Sequence, residues 1–225
     1  MSELGVLMKK FLAEISKTVL NTIDSMVFSE EKEPDRNIPK IVSIGWRNVL
    51  SNPELNSSDT TLRELQYLEK ITKSRTKKEE ELVMIVDDNV TDLFMPYLKK
   101  HNLKLPKKLI DSLWDSVIYP VTMNLKWQYN RARPYQLAPN RGLEIDYIET
   151  DTHHSPSYPS GHTAYGTMLA SVLSEFYPEH SSALYELANK VGKARELQGV
   201  HYPSDNNAAM VIVGAIWEDV KYDIL

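Results

Sequence analysis

Tyr158-Pro159-Ser160-Gly161-His162-Thr163-Ala164-Tyr165-Gly166-Thr167-Met168-Leu169-Ala170-Ser171-Val172-Leu173-Ser174-Glu175-Phe176 is the stretch from which the rest of the chain can be read. Pro159 biases Tyr158 away from helical backbone geometry, and Ser160 is a strong N-cap residue. Ala164, Met168, Leu169, Val172 and Phe176 then recur at helical spacing. A helix is expected to start at Ser160, turn those residues inward and stop before Pro178. The unpaired amides and positive dipole end of its first turn form an anion site, and His162 sits in that turn, where it can move a proton to a bound oxyanion. Taken alone, Tyr158 to His162 describe no more than a capped helix with a surface histidine.

The helical pattern continues on both sides. Leu184, Leu187, Ala188 and Val191 stripe a helix that begins at Ser181 or Ser182, and the same period puts Arg195 on that face. An arginine on an apolar stripe needs an anionic partner. A last helix, from about Pro203-Ser204, carries Ala208, Met210, Val211, Val213, Ile216 and Trp217 and belongs in the core. Upstream, Ile110, Leu113, Trp114, Val117 and Val121 share one face between Leu105 and Lys126, so Lys126 lies near a helix end. Glu81 to His101 reads as helix that Pro96 kinks or divides. Asp59-Thr60-Thr61 can cap a helix running to about Lys73, and the charge run Lys70 to Glu81 reads as a solvated turn and helix start.

Pro134 to Pro159 is rich in Pro, Asn, Gly and acidic residues and has little helical pattern, so it is expected to be a long loop with a short strand at Leu143 to Ile148. Long irregular segments within compact domains are often functional. At the N-terminus, Leu7, Phe11, Ile15, Val19, Ile23 and Val27 recur every four residues from Leu4 to Phe28, the stripe of an amphipathic helix. Its polar face mixes both charge signs, which suits core packing or a subunit contact better than a membrane surface. Ser29 to Lys40 reads as a connector.

The 225 residues are 42% hydrophobic and 25% charged, as in an ordinary globular protein. A net charge of -5 argues against a nucleic-acid partner held by bulk electrostatics, so an anionic ligand must be drawn in by a local basic cluster. The absence of cysteine excludes disulfides and thiolate chemistry. Charges interrupt Met1 to Val27, and the longest apolar run, Ala208 to Trp217, is too short to span a membrane. The expectation is a soluble, cytoplasmic protein without an integral membrane segment.

Three charged clusters need a common explanation: Lys126, six residues, then Arg133-Pro134; Pro159-Ser160-Gly161-His162; and Arg195, five residues, His201, three residues, Asp205. In order and spacing they resemble the three-part signature of the type-2 phosphatidic-acid phosphatase and vanadium haloperoxidase superfamily. The resemblance covers Lys126 to Asp205. It implies an all-α helical bundle with a long loop between the first two motifs. The organisation expected is an N-terminal helix and connector over 1–40 and a single helical catalytic domain over 41–225. Where the family usually has serine before the third-motif arginine, this chain has Ala194, which removes a hydroxyl without touching a charge.

The chemistry of the clusters is coherent. A tetrahedral oxyanion is best held by guanidinium forks, an ammonium and backbone amides, so Lys126, Arg133, Arg195, the Ser160 hydroxyl and the Gly161 amide are the expected cradle. Asp205 can orient His201 through one ring nitrogen and leave the other free. The resemblance implies that His201 attacks phosphorus to give a phosphohistidine, and that His162 protonates the leaving oxygen and later activates water. A metal-independent phosphatase acting on small phosphomonoesters or pyrophosphates is the leading expectation, with no cofactor. One alternative is a haloperoxidase in which His201 ligates vanadate; another is an inactive phosphate-binding protein. The N-terminal stripe could join two copies of the chain. Arg131 could add a fourth positive charge to the cradle but is expected to face solvent, as are His101, His180 and the pair His153 and His154, although that pair lies close enough to touch substrate. Glu144, Asp146, Glu149 and Asp151 are spaced too irregularly for a metal site and read as a polar loop.

Overall fold

The computed structural model describes residues 3–29 and 49–224; the regular elements among them are helices, joined by irregular segments, with no named strand among them. In chain order the helices are α1 (Glu3–Asp24), α2 (Asp59–Lys73), α3 (Lys77–Asp88), α4 (Val90–Lys100), α5 (Lys107–Leu113), α6 (Tyr119–Tyr129), α7 (Pro134–Leu137), α8 (Gly161–Phe176), α9 (Ser181–Leu197) and α10 (Pro203–Ile224). A π-helical turn, Trp114–Ile118, joins α5 to α6. Apart from Ser29, the expected connector lies outside the described residues, and so does the boundary at residue 40.

The bundle is organised around α8. Ala164, Met168, Leu169, Val172 and Leu173 are fully buried, and so are the polar residues Thr163, Thr167 and Ser171. A helix buried on all sides must satisfy its hydroxyls internally. Thr167 and Ser171 donate to the carbonyls four residues back, at 2.7 and 3.0 Å. Helix α8 packs most extensively on α9 and next on α10. At the α8–α9 crossing a side chain on Gly166 would meet Val191 Cγ2 at 2.9 Å, so only glycine permits this approach. Phe176 does not turn inward; it is exposed at the helix end, past the reach of the core.

Local chemistry sets the helix ends. Ser58, not Asp59 to Thr61, caps α2, accepting from the Thr61 amide at 3.1 Å. Thr76 and Glu79 form a capping box on α3. The division of Glu81 to His101 falls at Asn89, whose side chain caps α4 through the Thr91 amide at 3.1 Å, while Pro96 lies within α4. Residues 143–148 form no strand. The amides of Glu144, Asp146 and Ile148 go to Glu69, Thr72 and Gln198, three separate partners rather than one neighbouring strand.

A second, smaller core lies beneath this loop, where Leu65 and Leu68 of α2 pack with Ile23, Leu137, Ile145 and Tyr202. It fixes the segment that leads into α10. The end of helix α1 is anchored on the segment before α2. Asp24 accepts from the Ser57 amide and hydroxyl at 2.7 and 2.8 Å, and Asn56 donates to the carbonyls of Ile23 and Met26. Ile23 is buried, but Phe11, Ile15 and Val19 are exposed, Phe11 by 64%. Among the described residues of the stripe, Ile23 therefore packs into a core while Phe11 to Val19 do not.

Candidate active site

The α8 N-terminus, the α6 C-terminus and the start of α10 meet around a cavity of about 290 Å³. Lys126, Arg133, Gly161, His162 and His201 line it, together with Asp87, Asp88, Thr122 and Thr152. Ser160 and Arg195 stand just behind that wall. Ser160 is fully buried and caps its own helix, its hydroxyl 2.9 Å from the Thr163 hydroxyl. Arg195 is buried on α9 and points at Asp87.

The cations are held by backbone. Lys126 Nζ donates to the Pro156 carbonyl at 2.6 Å. Arg133 donates to the carbonyls of Ser155 and Val200 at 2.9 and 2.8 Å. Burial, reinforced by the charge of Arg133, pushes the Lys126 ammonium well below the usual lysine pKa. Arg195 is likewise depressed by burial, against the opposing pull of Asp87. Both therefore gain from an incoming anion.

His201 is the centre of the arrangement. Its Nδ1 lies 3.1 Å from Asp205 Oδ2, and its Nε2 lies 2.9 Å from Arg133 Nη1. An arginine nitrogen can only donate, so Nε2 accepts and Nδ1 carries the proton that Asp205 receives. The lone pair of Nε2 therefore faces the cationic wall. Burial and the positive charge of Arg133 hold His201 well below the usual histidine pKa, which keeps the ring neutral. His162 is depressed in the same way, first by burial and then by Arg195; its ring donates to the Asp87 main-chain carbonyl.

Asp205 is fully buried and accepts from four groups: the His201 ring, the Tyr202 amide at 2.9 Å, the Ser157 hydroxyl and Arg131 Nη1 at 2.6 Å. Burial alone would raise its pKa, but Arg131, His201 and Ser157 outweigh it and hold the carboxyl below the ordinary carboxylate range. Arg131 thus does not face solvent. It is buried, lies 3.8 Å over the Tyr202 ring, and also reaches Glu64 and the Ser204 hydroxyl. Glu64 in turn accepts from the Ser204 amide at 2.7 Å, at the start of α10.

The loop histidines divide. His154 is exposed, whereas His153 is buried edge-on against Tyr135 and Tyr147, and burial pulls its pKa to about 4. His180 is half-buried rather than exposed, 2.9 Å from the Tyr97 hydroxyl, while His101 is exposed. In the acidic loop, Asp146 pairs with Arg75 and Glu144 with Lys73. Ala194 is fully buried in the main core.

Sequence reading missed Asp87, Glu64 and Ser157, and misjudged Arg131. Asp87 and Glu64 lie far upstream of the clusters, where no local spacing signals them. The requirement that buried arginines have carboxylate partners is the one signal that could have prompted a search for them.

Residues 116–218 match the family model of the PAP2 superfamily. The non-specific acid phosphatase of Salmonella typhimurium strain LT2 is 34% identical over 136 residues, 57% of this chain and 52% of that protein. That of Salmonella typhi is 32% identical over 149 residues, covering 63% and 58%. The non-specific acid phosphatase of Providencia stuartii is 33% identical over 113 residues, covering 48% and 44%. The chain thus spans roughly half the length of these relatives. The matched region contains Lys126, Arg133, His162, Arg195, His201 and Asp205, and over it the chain is similar to the PAP2 superfamily.

Proposed function

We propose that this chain is a phosphatase that hydrolyses phosphomonoesters or pyrophosphates through a phosphohistidine on His201, without a metal ion. The observation that carries the proposal is the setting of the His201 ring between Asp205 and Arg133, with Nε2 accepting from a guanidinium that lines the same cavity. The similarity to acid phosphatases supports the same reading.

A phosphoryl group in the cavity takes hydrogen bonds from Lys126, Arg133, Arg195 and the Gly161 amide, which stabilise the charge on its equatorial oxygens in the transition state. His201 Nε2 forms a bond to phosphorus as the ester P–O bond breaks, and Asp205 stabilises the imidazolium that develops. The leaving oxygen takes a proton from His162. Neutral in the empty site, His162 gains its proton when a phosphoryl dianion brings negative charge beside it. In the second half-reaction His162 removes a proton from water, the water oxygen attacks phosphorus, and the P–N bond breaks to release inorganic phosphate and free His201.

The test is phosphate release from an aryl phosphate in the presence of a chelator, with acid-labile phosphate trapped on the protein. Turnover that is abolished in His201→Ala, with loss of the trapped label, supports the reading. Activity that survives His201→Ala, or that dies in chelator and returns with magnesium, overturns it. Vanadate-loaded protein assayed for halide oxidation distinguishes the haloperoxidase alternative.

A further inference from the structure

Part of the cavity wall has no role in holding the anion. Trp114, Tyr119, Met123 and Tyr165, with Val86 and Val90, line the same space as Lys126 and His162. The Trp114 ring lies edge-on to Tyr165 at 4.8 Å and 5.7 Å from Tyr119. Residues five apart do not share a face of an ordinary α-helix, where neighbours are three and four apart. Here the π-turn closes through the Tyr119 amide and Trp114 carbonyl, and it brings both rings to the cavity. Such turns are inserted frequently at functional sites.

Tyr165 ties this wall to the chemistry. It follows His162 by three residues on α8, so the two share a helix face, and both line the cavity. Whatever departs toward the His162 proton departs alongside Tyr165. An apolar cavity of about 150 Å³ suffices to bind benzene. The space of about 290 Å³ thus has room for one ring beside a phosphoryl group. Asp88 at the same cavity opposes a further negative charge on the leaving group.

Building on the phosphatase reading, we propose that Trp114, Tyr119 and Tyr165 form a leaving-group subsite, and that the preferred substrates are phosphomonoesters of neutral aromatic alcohols. The experiment compares kcat/KM for phenyl phosphate and glycerol phosphate in the wild type, Trp114→Leu and Tyr165→Leu, substitutions that keep the wall apolar. The ratio of phenyl to glycerol phosphate kcat/KM is expected to fall about ten-fold in each variant. Because the ratio is taken within one protein sample, partial misfolding does not move it. A ratio unchanged in both variants overturns the proposal. If the wild type hydrolyses neither ester, the phosphatase reading fails, and the subsite is tested by calorimetry with phosphonates. Phenylphosphonate binding about ten-fold tighter than methylphosphonate, with the advantage lost in Trp114→Leu, then supports it; equal binding overturns it.

Discussion

The Asp87 carboxylate pairs with the Arg195 guanidinium behind the wall of the anion cavity, and Thr150, Thr152 and Gln198 donate to the same carboxylate. One charge of the cradle is thereby balanced before any anion arrives. Removing one partner of a buried pair costs about 3–5 kcal/mol, because the other is left uncompensated. Asp87→Asn is therefore expected to lower the melting temperature of the anion-free protein. Phosphate should restore more of the stability of this variant than of the wild type. Thermal unfolding with and without phosphate checks both; an equal phosphate-induced rise in the two proteins contradicts this account of the pair.

Acidification should weaken the anion-free protein in two stages. His162 and His201 have depressed pKa values, so they stay neutral in the folded state while the unfolded chain takes up protons near pH ~6.5. Stability is fully present above that pH and declines as pH falls below it. Asp205, also depressed, contributes stability that is present above pH ~3.9 and lost as pH falls towards its folded value. Bound phosphate favours the charged form of His162, so its stabilising effect should be larger at pH 5 than at pH 7. Melting curves across that range provide the measurement.

Arg131 acts on the reaction through Asp205. Arg131→Gln keeps hydrogen-bonding capacity but removes the charge that holds the carboxyl ionised and the stack on Tyr202. By analogy with other groups that orient a reactive side chain from behind, kcat should fall about 10–100-fold. The acid limb of the pH profile should move upward as the Asp205 pKa rises. A loss of stability with no change in pH profile would make Arg131 purely structural.

Gly166→Ala should destabilise the bundle by about 1–3 kcal/mol, the usual range for overpacking, since its new methyl meets Val191. Val191→Ala in the same chain should recover part of that loss. A double-mutant cycle in denaturant gives the coupling directly, and strict additivity would rule out the contact as the cause.

What the sequence made legible was local. Ser160 and the apolar period after it mark α8, and Pro178 marks its end, because capping and periodicity act within a few residues. The cluster spacing pointed to Lys126, Arg133, His162 and His201, which line one cavity. The partners of these groups were not legible. Asp87 meets Arg195 across 108 positions of sequence and Glu64 meets Arg131 across 67, distances at which no periodicity carries information. The carboxylates that bury Arg131, those of Asp205 and Glu64, lie 74 and 67 positions from it. The Asn89 break escaped notice because Pro96 was the stronger helix breaker by propensity, whereas the Asn89 side chain caps the next helix.

The grip of residues 155–157 on the cationic wall runs largely through main-chain carbonyls, those of Ser155 and Pro156 to Arg133 and Lys126. A carbonyl is present whatever the side chain. Residue 156 is therefore free to drift in composition over generations without dislodging Lys126, provided the backbone keeps its path. A deletion of a single residue has no such latitude, since it shifts every carbonyl in the segment past its cation. The pocket is thus guarded by loop length more than by loop composition.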